Sequence, residues 1–345
     1  MADNQESMDS REEIQRLQQM MNRMSCNQPA AQPSLKDYTI NKALGKGAYG
    51  NVYSVRSKAD GQDYALKMIQ LSANREGIPQ SVLREISVMK SCAKQGHPNI
   101  VLLKSVFHVL DSAKGILRIN MVMEKCDWDL HTFVRNVPRT IPEHQIKHIA
   151  SQIAKGLNFL HVFGVIHRDL KPQNILINRD QSVKLADFGL SKTQSNTTAF
   201  TTLVVTLWYR APEVLLQSFY TSSVDMWSLG CIVSEIYSRQ ALFSGQNEAE
   251  QLADIFSKIG TPCGKEWPQA SVLKKESFKN YPKQNVRSIN PKLTSAAADF
   301  IHLCLKYDPN ERISARAALE HEYLKPATVR RVLKPNHTLN NQSKV

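Results

Sequence analysis

Three observations predict an α+β fold in two unequal lobes for this 345-residue chain. Tyr38 to about Ile69 reads as strands, with Gly, Asn and Asp breaks around runs such as Asn51–Arg56 and Asp63–Ile69. Ile146, Ile149, Ile153, Leu157 and Leu160 recur at helical spacing, and Ser222 to Tyr237 is apolar on nearly every side, as in a helix buried inside a lobe. A short junction, Glu124–Trp128, separates the strand-like half from the helical one.

The elements follow in order. Residues 1–37 form a polar, Gln/Asn/Met-rich arm. Within it Ser10 and Glu13 have capping-box spacing, and Ile14, Leu17, Met21 and Met24 follow at helical spacing. So short an isolated helix is marginal in water, so the arm is expected to be mostly disordered with transient helicity. After the first strands, Pro79–Ser91 reads as a helix, then Ile100–Val109 and Gly115–Met123 as a second strand pair. Beyond Asp127 the pattern is helical as far as about residue 324. Residues 38–123 are therefore taken as the upper lobe, 124–128 as the junction, 129–324 as the lower lobe and 325–345 as a tail.

Hydrophobic residues at 42% and charged residues at 22% point to a folded chain. Part of the formal charge of +13 lies in the tail, where every charged residue after Glu322 is basic. No Lys/Arg run is interleaved with aromatics, so a nucleic-acid partner is not expected. Cys26, Cys92, Cys126, Cys231, Cys263 and Cys304 form no C-x-x-C and read as reduced thiols. No uninterrupted apolar stretch reaches membrane-spanning length, so no membrane association is expected.

Gly45-Lys46-Gly47-Ala48-Tyr49-Gly50 lies between two strand signals. Glycines let the backbone approach phosphate closely and aim its N–H groups at it. The pattern alone is weak, since plain turns and dinucleotide-binding folds share it. Here a strand through Val52 follows instead of a helix, which argues for a hairpin lid. One strand on, alternation places Ala65 and Lys67 on one face, with Tyr64, Leu66 and Met68 on the other. Strand lysines are usually solvated. Glu85 changes the balance, because it sits in the apolar stripe Val82, Ile86, Met89, where a carboxylate is costly unless paired. Lys67 is its candidate partner, although Glu85 could simply edge the stripe.

His167-Arg168-Asp169-Leu170-Lys171-Pro172-Gln173-Asn174 is the most specific string. Asp169 would take the proton of an attacking hydroxyl, Lys171 would reach a transferring phosphoryl group, and Asn174 would hold magnesium. Asp187-Phe188-Gly189 follows, with Asp187 as the main Mg²⁺ ligand. Ala211-Pro212-Glu213 closes the segment, with Glu213 expected to pair with Arg312. Asp225 reads as a hydrogen-bonding brace and His167 as a packed core residue rather than participants in the chemistry.

Tyr38 to about Lys325 thus resembles the eukaryotic protein kinases, with the motifs matching in order, spacing and strand or helix context. The resemblance implies a bilobal protein kinase fold with an ATP cleft between the lobes. Ile78-Pro79-Gln80-Ser81-Val82-Leu83-Arg84-Glu85-Ile86 is similar to the cyclin-binding helix of the cyclin-dependent kinases, and Val204–Glu213 to their activation-segment ending. Glu76-Gly77, the loop at Lys94–Gly96 and Asn247-Glu248-Ala249 resemble most the cyclin D-dependent subgroup, that of cyclin-dependent kinases 4 and 6. The resemblance implies ATP and Mg²⁺ as cofactors, with Leu44, Met123, Glu124 and Cys126 joining the lid, Ala65, Lys67 and Glu85 around the nucleotide. Pro79, Ser81, Val82 and Leu83 would serve cyclin binding.

The resemblance also implies regulation. Thr201 aligns with the threonine phosphorylated by an activating kinase, and Thr202 beside it leaves the register open by one. A phosphate there adds about −1.5 to −2 charges, which Arg84 and Arg168 can bridge. Lys192 stands where the group usually carries arginine; it keeps the charge and loses the bidentate geometry. Tyr49 aligns with the inhibitory tyrosine of the lid, and Ala48 removes a second modifiable site beside it. Lys171 resembles serine/threonine rather than tyrosine kinases, and Val204-Val205-Thr206 suggests an apolar pocket favouring proline after the phosphoacceptor. The implied partners are a D-type cyclin, retinoblastoma-like protein substrates, inhibitor proteins and an activating kinase, in nucleus and cytoplasm, serving cell division. A mitogen-activated kinase would carry T-x-Y between Gly189 and Val205, and none is there. The rival from another class is a cell-cycle scaffold that sequesters cyclin or inhibitor proteins without catalysis.

Overall fold

The computed structural model describes residues 33–47, 50–72, 77–111, 113–137, 140–193, 207–268 and 270–325. The expectations for the N-terminal arm, Ala48, Tyr49, Glu76, Thr201, Thr202, Val204–Thr206 and the tail beyond Lys325 lie outside these residues. The side chains of Lys46 and Lys192 also lie outside the description.

Five antiparallel strands form the upper lobe: β1 (Tyr38–Gly47), β2 (Gly50–Ser57), β3 (Asp63–Ser72), β4 (Leu103–Asp111) and β5 (Ile116–Glu124). Their order in the sheet is β1-β2-β3-β5-β4. The glycine string is the tip of the β1–β2 hairpin, with Gly47 paired to Gly50. Gly50 is required there by proximity: a Cβ would lie 1.9 Å from the carbonyl oxygen of Met68 on β3. Alternation splits β3 as the sequence predicts. Tyr64 and Leu66 pack with Val55, Phe107 and Val122 in a small outer core. Ile69, which shares the opposite face with Lys67, turns to the main core.

Helix α1 (Gln80–Gln95) crosses that inner face and ends at Gly96, whose φ of 64° suits glycine. Val82, Ile86 and Met89 are its buried stripe. Ile100 and Val101, expected to open a strand, instead form a buried connection: Ile100 bridges Leu185 and the Val101 amide donates to the Leu185 carbonyl. A short apolar run cannot distinguish a strand from such a buried link.

The lower lobe begins with β6 (Trp128–Asp129), α2 (Leu130–Asn136) and α3 (Glu143–Val162). All five periodic residues of α3, from Ile146 to Leu160, are buried. Short strands β7 (Val165–Ile166), β8 (Ile175–Ile177), β9 (Val183–Leu185) and β10 (Lys192–Thr193) carry the loops between them on its upper side. Then come α4 (Pro212–Leu215), α5 (Ser223–Ser238), α6 (Glu248–Ile259), α7 (Val286–Ile289), α8 (Ser295–Cys304) and α9 (Ala315–Leu319). Helix α5 is buried from Val224 to Tyr237, which explains its apolar circumference. Among the described residues no helix is long and apolar enough to cross a membrane, and the five described cysteines are free.

Arg312 anchors α4 to α5. Its Nη1 and Nη2 donate to Glu213 at 2.7 and 3.0 Å, Nη1 also to the Ser223 carbonyl, and its guanidinium lies over the Trp227 ring. Both side chains are buried, so removing one strands the other charge in the core. Arg312→Ala is expected to cost about 3–5 kcal/mol of stability, measured by urea unfolding followed by tryptophan fluorescence.

Candidate active site

Cross-strand register assembles the upper wall. Val52 pairs with Lys67 and Ala65 with Met123, so Val52, Ala65, Lys67 and Met123 share the inner face. Gly45 stands opposite Val52, and a Cβ at Gly45 would meet open space. Leu44 lies at the register shift between Ala43 and Gly45 and is largely exposed. The small side chain of Ala65 leaves room between the flanking strands for a flat group.

Lys67 Nζ reaches α1, donating to Glu85 Oε1 and Oε2 at 2.6 and 2.8 Å. It is also 3.6 Å from Asp187 Oδ1. Burial alone would lower the Lys67 ammonium, but the negative charges of Glu85 and Asp187 outweigh it and hold its pKa above the usual lysine value. Burial pushes Glu85 up, with Lys67 opposing. Burial likewise works to raise Asp187, and there Lys67, reinforced by Lys171, prevails and keeps the carboxyl below its ordinary value.

From Asp187 the connection runs to the catalytic string. The Ala186 amide donates to the Asn174 carbonyl at 2.9 Å. Asn174 Nδ2 donates to the Asp169 carbonyl and to Asp169 Oδ2 at 2.8 and 2.9 Å, and Lys171 Nζ to the same Oδ2 at 2.8 Å. Lys67, Asp187, Asn174, Asp169 and Lys171 are therefore joined in one chain of contacts across the lobes. Asn174 spends its amide nitrogen on Asp169, so its amide oxygen is the atom that could hold a metal. One amide oxygen and one carboxylate are hard donors that suit Mg²⁺ completed by phosphate oxygens.

The loop is held from below by Asp225 on α5. Its carboxylate accepts from the amides of His167 and Arg168, both at 2.9 Å, and lies 2.8 Å from His161 Nε2. Burial opposes its ionisation, yet these bonds keep its pKa below the ordinary carboxylate value. Arg168 has a φ of 68° and Asp187 of 63°, a region that side chains rarely adopt. His167 is fully buried, with Nε2 on the Ala186 carbonyl and Nδ1 on the Asp169 amide. Those partners give the ring a packing role.

One expectation needs correction. Val82, named for partner binding, is buried in the packing face of α1 and offers no outer surface; Pro79, Ser81 and Leu83 keep part of theirs. The Glu124 amide donates to the Leu102 carbonyl at 3.0 Å. Cys126 is half-buried beside it, with burial, aided by Glu124, pushing its thiol up to about 12. Arg84 and Arg168 are both half-buried, and Arg168 lies over the Tyr220 ring. Lys192 is placed by its backbone opposite Ile166 on β7. Sequence reasoning missed Lys184, which reaches Glu124 from β9 at 2.9 Å; its only signal is a charged residue alternating with buried Val183 and Leu185.

The protein kinase domain model matches residues 38–324. The chain is 65% identical over 306 residues to the cyclin-dependent kinase 4 homolog of Caenorhabditis elegans, covering 88% of this chain and 75% of that protein. It is 42% identical to cyclin-dependent kinase 4 of Xenopus laevis, covering 81% of this chain and 88% of the other. Against cyclin-dependent kinase 4 of Mus musculus it is 41% identical, covering 81% and 94%.

Asp169→Asn keeps the hydrogen-bonded shape of the loop and removes the proton acceptor. It is expected to lower kcat by about 10²–10⁴ while ATP affinity, followed by fluorescent-nucleotide titration, stays near wild type.

Proposed function

We propose that this chain, which belongs to the cyclin-dependent kinases within the protein kinase family, is switched on by a D-type cyclin and by phosphorylation of its activation segment to promote G1 progression. It is an ATP-dependent serine/threonine protein kinase. The observation that carries the finer reading is Glu85. The carboxylate that completes the Lys67 site rides on the helix whose sequence, Ile78 to Ile86, resembles a cyclin-binding signature. A partner that fixes α1 therefore fixes the nucleotide site. The relatives, cyclin-dependent kinase 4 of two vertebrates and a homolog of it in a nematode, favour the same class.

In the proposed reaction Asp169 accepts the proton of a substrate serine or threonine hydroxyl as its oxygen bonds to the γ-phosphorus. The bond from that phosphorus to the β–γ bridging oxygen breaks, and ADP leaves. Lys67, held by Glu85, neutralises the α- and β-phosphates, and Lys171 meets the charge on the transferring group. Asn174 and Asp187 would hold Mg²⁺, which when bound screens the phosphate charge. A proline after the phosphoacceptor, retinoblastoma-like substrates, inhibitor proteins, an activating kinase acting on Thr201, and action in nucleus and cytoplasm belong to this reading. A scaffold without chemistry is not favoured, because Lys67, Glu85, Asp169, Asn174 and Asp187 are all present and brought together.

Phosphorylation of a proline-directed peptide by purified chain, with and without a D-type cyclin, tests the proposal. A large rise with cyclin is expected, and equal rates would remove the dependence. Leu83→Glu, at a partly exposed position of α1, is expected to weaken cyclin binding in a pull-down without lowering the affinity of the free chain for ATP.

A further inference from the structure

We propose that Lys184 and Glu124 form a clasp that fixes the tilt of the upper lobe on the lower one and thereby sets how fast the cleft releases nucleotide. The proposal rests on reading the cleft as the ATP site. Neither side chain is placed against the reacting atoms, so both are positioning residues through their side chains.

Val183 and Leu185 on β9 turn into the core, both fully buried, and alternation sends Lys184 the other way. Its ammonium lies 2.9 Å from Glu124 Oε1 and donates to the Pro98 carbonyl at 3.1 Å. The same Glu124 oxygen accepts from the Leu102 amide at 2.6 Å. One ammonium thus ties three segments together. They are the connection from α1 to β4, the junction between the lobes, and the strand that runs into Asp187 three residues later.

The α1–β4 connection is also zipped to β9. The Leu185 amide donates to the Asn99 carbonyl at 2.9 Å, the Val101 amide to the Leu185 carbonyl at 3.0 Å, and Asn99 Nδ2 to the Val183 carbonyl at 2.8 Å. The upper lobe is therefore seated on the lower one at its back, and Glu124 marks where it pivots. Rotation about the junction must stretch the Lys184–Glu124 contact. The two side chains are 16% and 25% exposed, so water screens this pair less than a surface one. The clasp coexists with the closed Lys67–Glu85 pair and with Phe188 fully buried behind it, so it belongs to the assembled form of the cleft. Releasing it loosens the wall formed by Met123 to Cys126 without disturbing Asp169.

The test uses the cyclin-activated complex and a fluorescent ADP analogue in stopped flow. Lys184→Met is expected to speed release about fivefold and to raise KM for ATP in step, with the single-turnover phosphotransfer rate unchanged. Lys184→Arg should restore the wild-type values. Glu124→Gln, which keeps an acceptor for the Leu102 amide and loses the charge, should speed release as Lys184→Met does, and the double variant Lys184→Met with Glu124→Gln should lose no more than either single one, which two independent structural roles would not produce. Unchanged release in Lys184→Met, or additive losses in the double variant, would overturn the clasp alone. A wild-type complex that bound no ADP analogue would overturn the reading of the cleft beneath it.

Discussion

A buried ammonium–carboxylate pair, Lys67 with Glu85, is the contact on which the rest of the cleft depends. A carboxylate on the packing face of a helix is expensive unless its charge is met, and a strand lysine turned inward is expensive for the same reason. Each removes the penalty of the other, so α1 and β3 are locked in one register. Because Asp187 lies within reach of the same ammonium, the lock extends to the loop of the lower lobe. Position of a helix and chemistry of a cleft become one variable, and a kinase can be regulated by anything that moves the helix.

The lower half of the cleft is stabilised differently. Left-handed backbone at Arg168 and Asp187 costs about 1–3 kcal/mol each, and the structure holds it with directed bonds. Asp225 collects the amides of His167 and Arg168, while His167 spans Asp169 and the segment before Asp187. These supports are buried inside an otherwise apolar lobe, where unmet donors would be most costly. The Asp169 carboxylate sits at the edge of that framework, fixed through one oxygen by Lys171 and Asn174.

Particular residues show how far the sequence could be read. Glu85 betrayed itself because a charge interrupted an apolar stripe, and Lys67 because alternation gave it a face. Arg312 and Glu213, expected to pair, are in bidentate contact. Ile100 and Val101 misled, since burial in a connection and burial in a sheet demand the same apolar residues. Val82 misled for the converse reason: a string marks which residues share a helix without saying which of them turn outward.

What the sequence determined by itself was the set of chemical groups and the division into two lobes. Periodicity, glycine spacing and charge within apolar runs are local properties, and they survive without coordinates. Only the tertiary structure decided which distant groups share an atom. That Lys184, Glu124, Pro98 and Leu102 meet at one point, and that Asp225 reaches two consecutive amides some 60 residues away in the chain, leaves no local trace. The contacts are made by side chains whose own neighbourhoods look ordinary, and burial gives them their strength only once the lobes have packed.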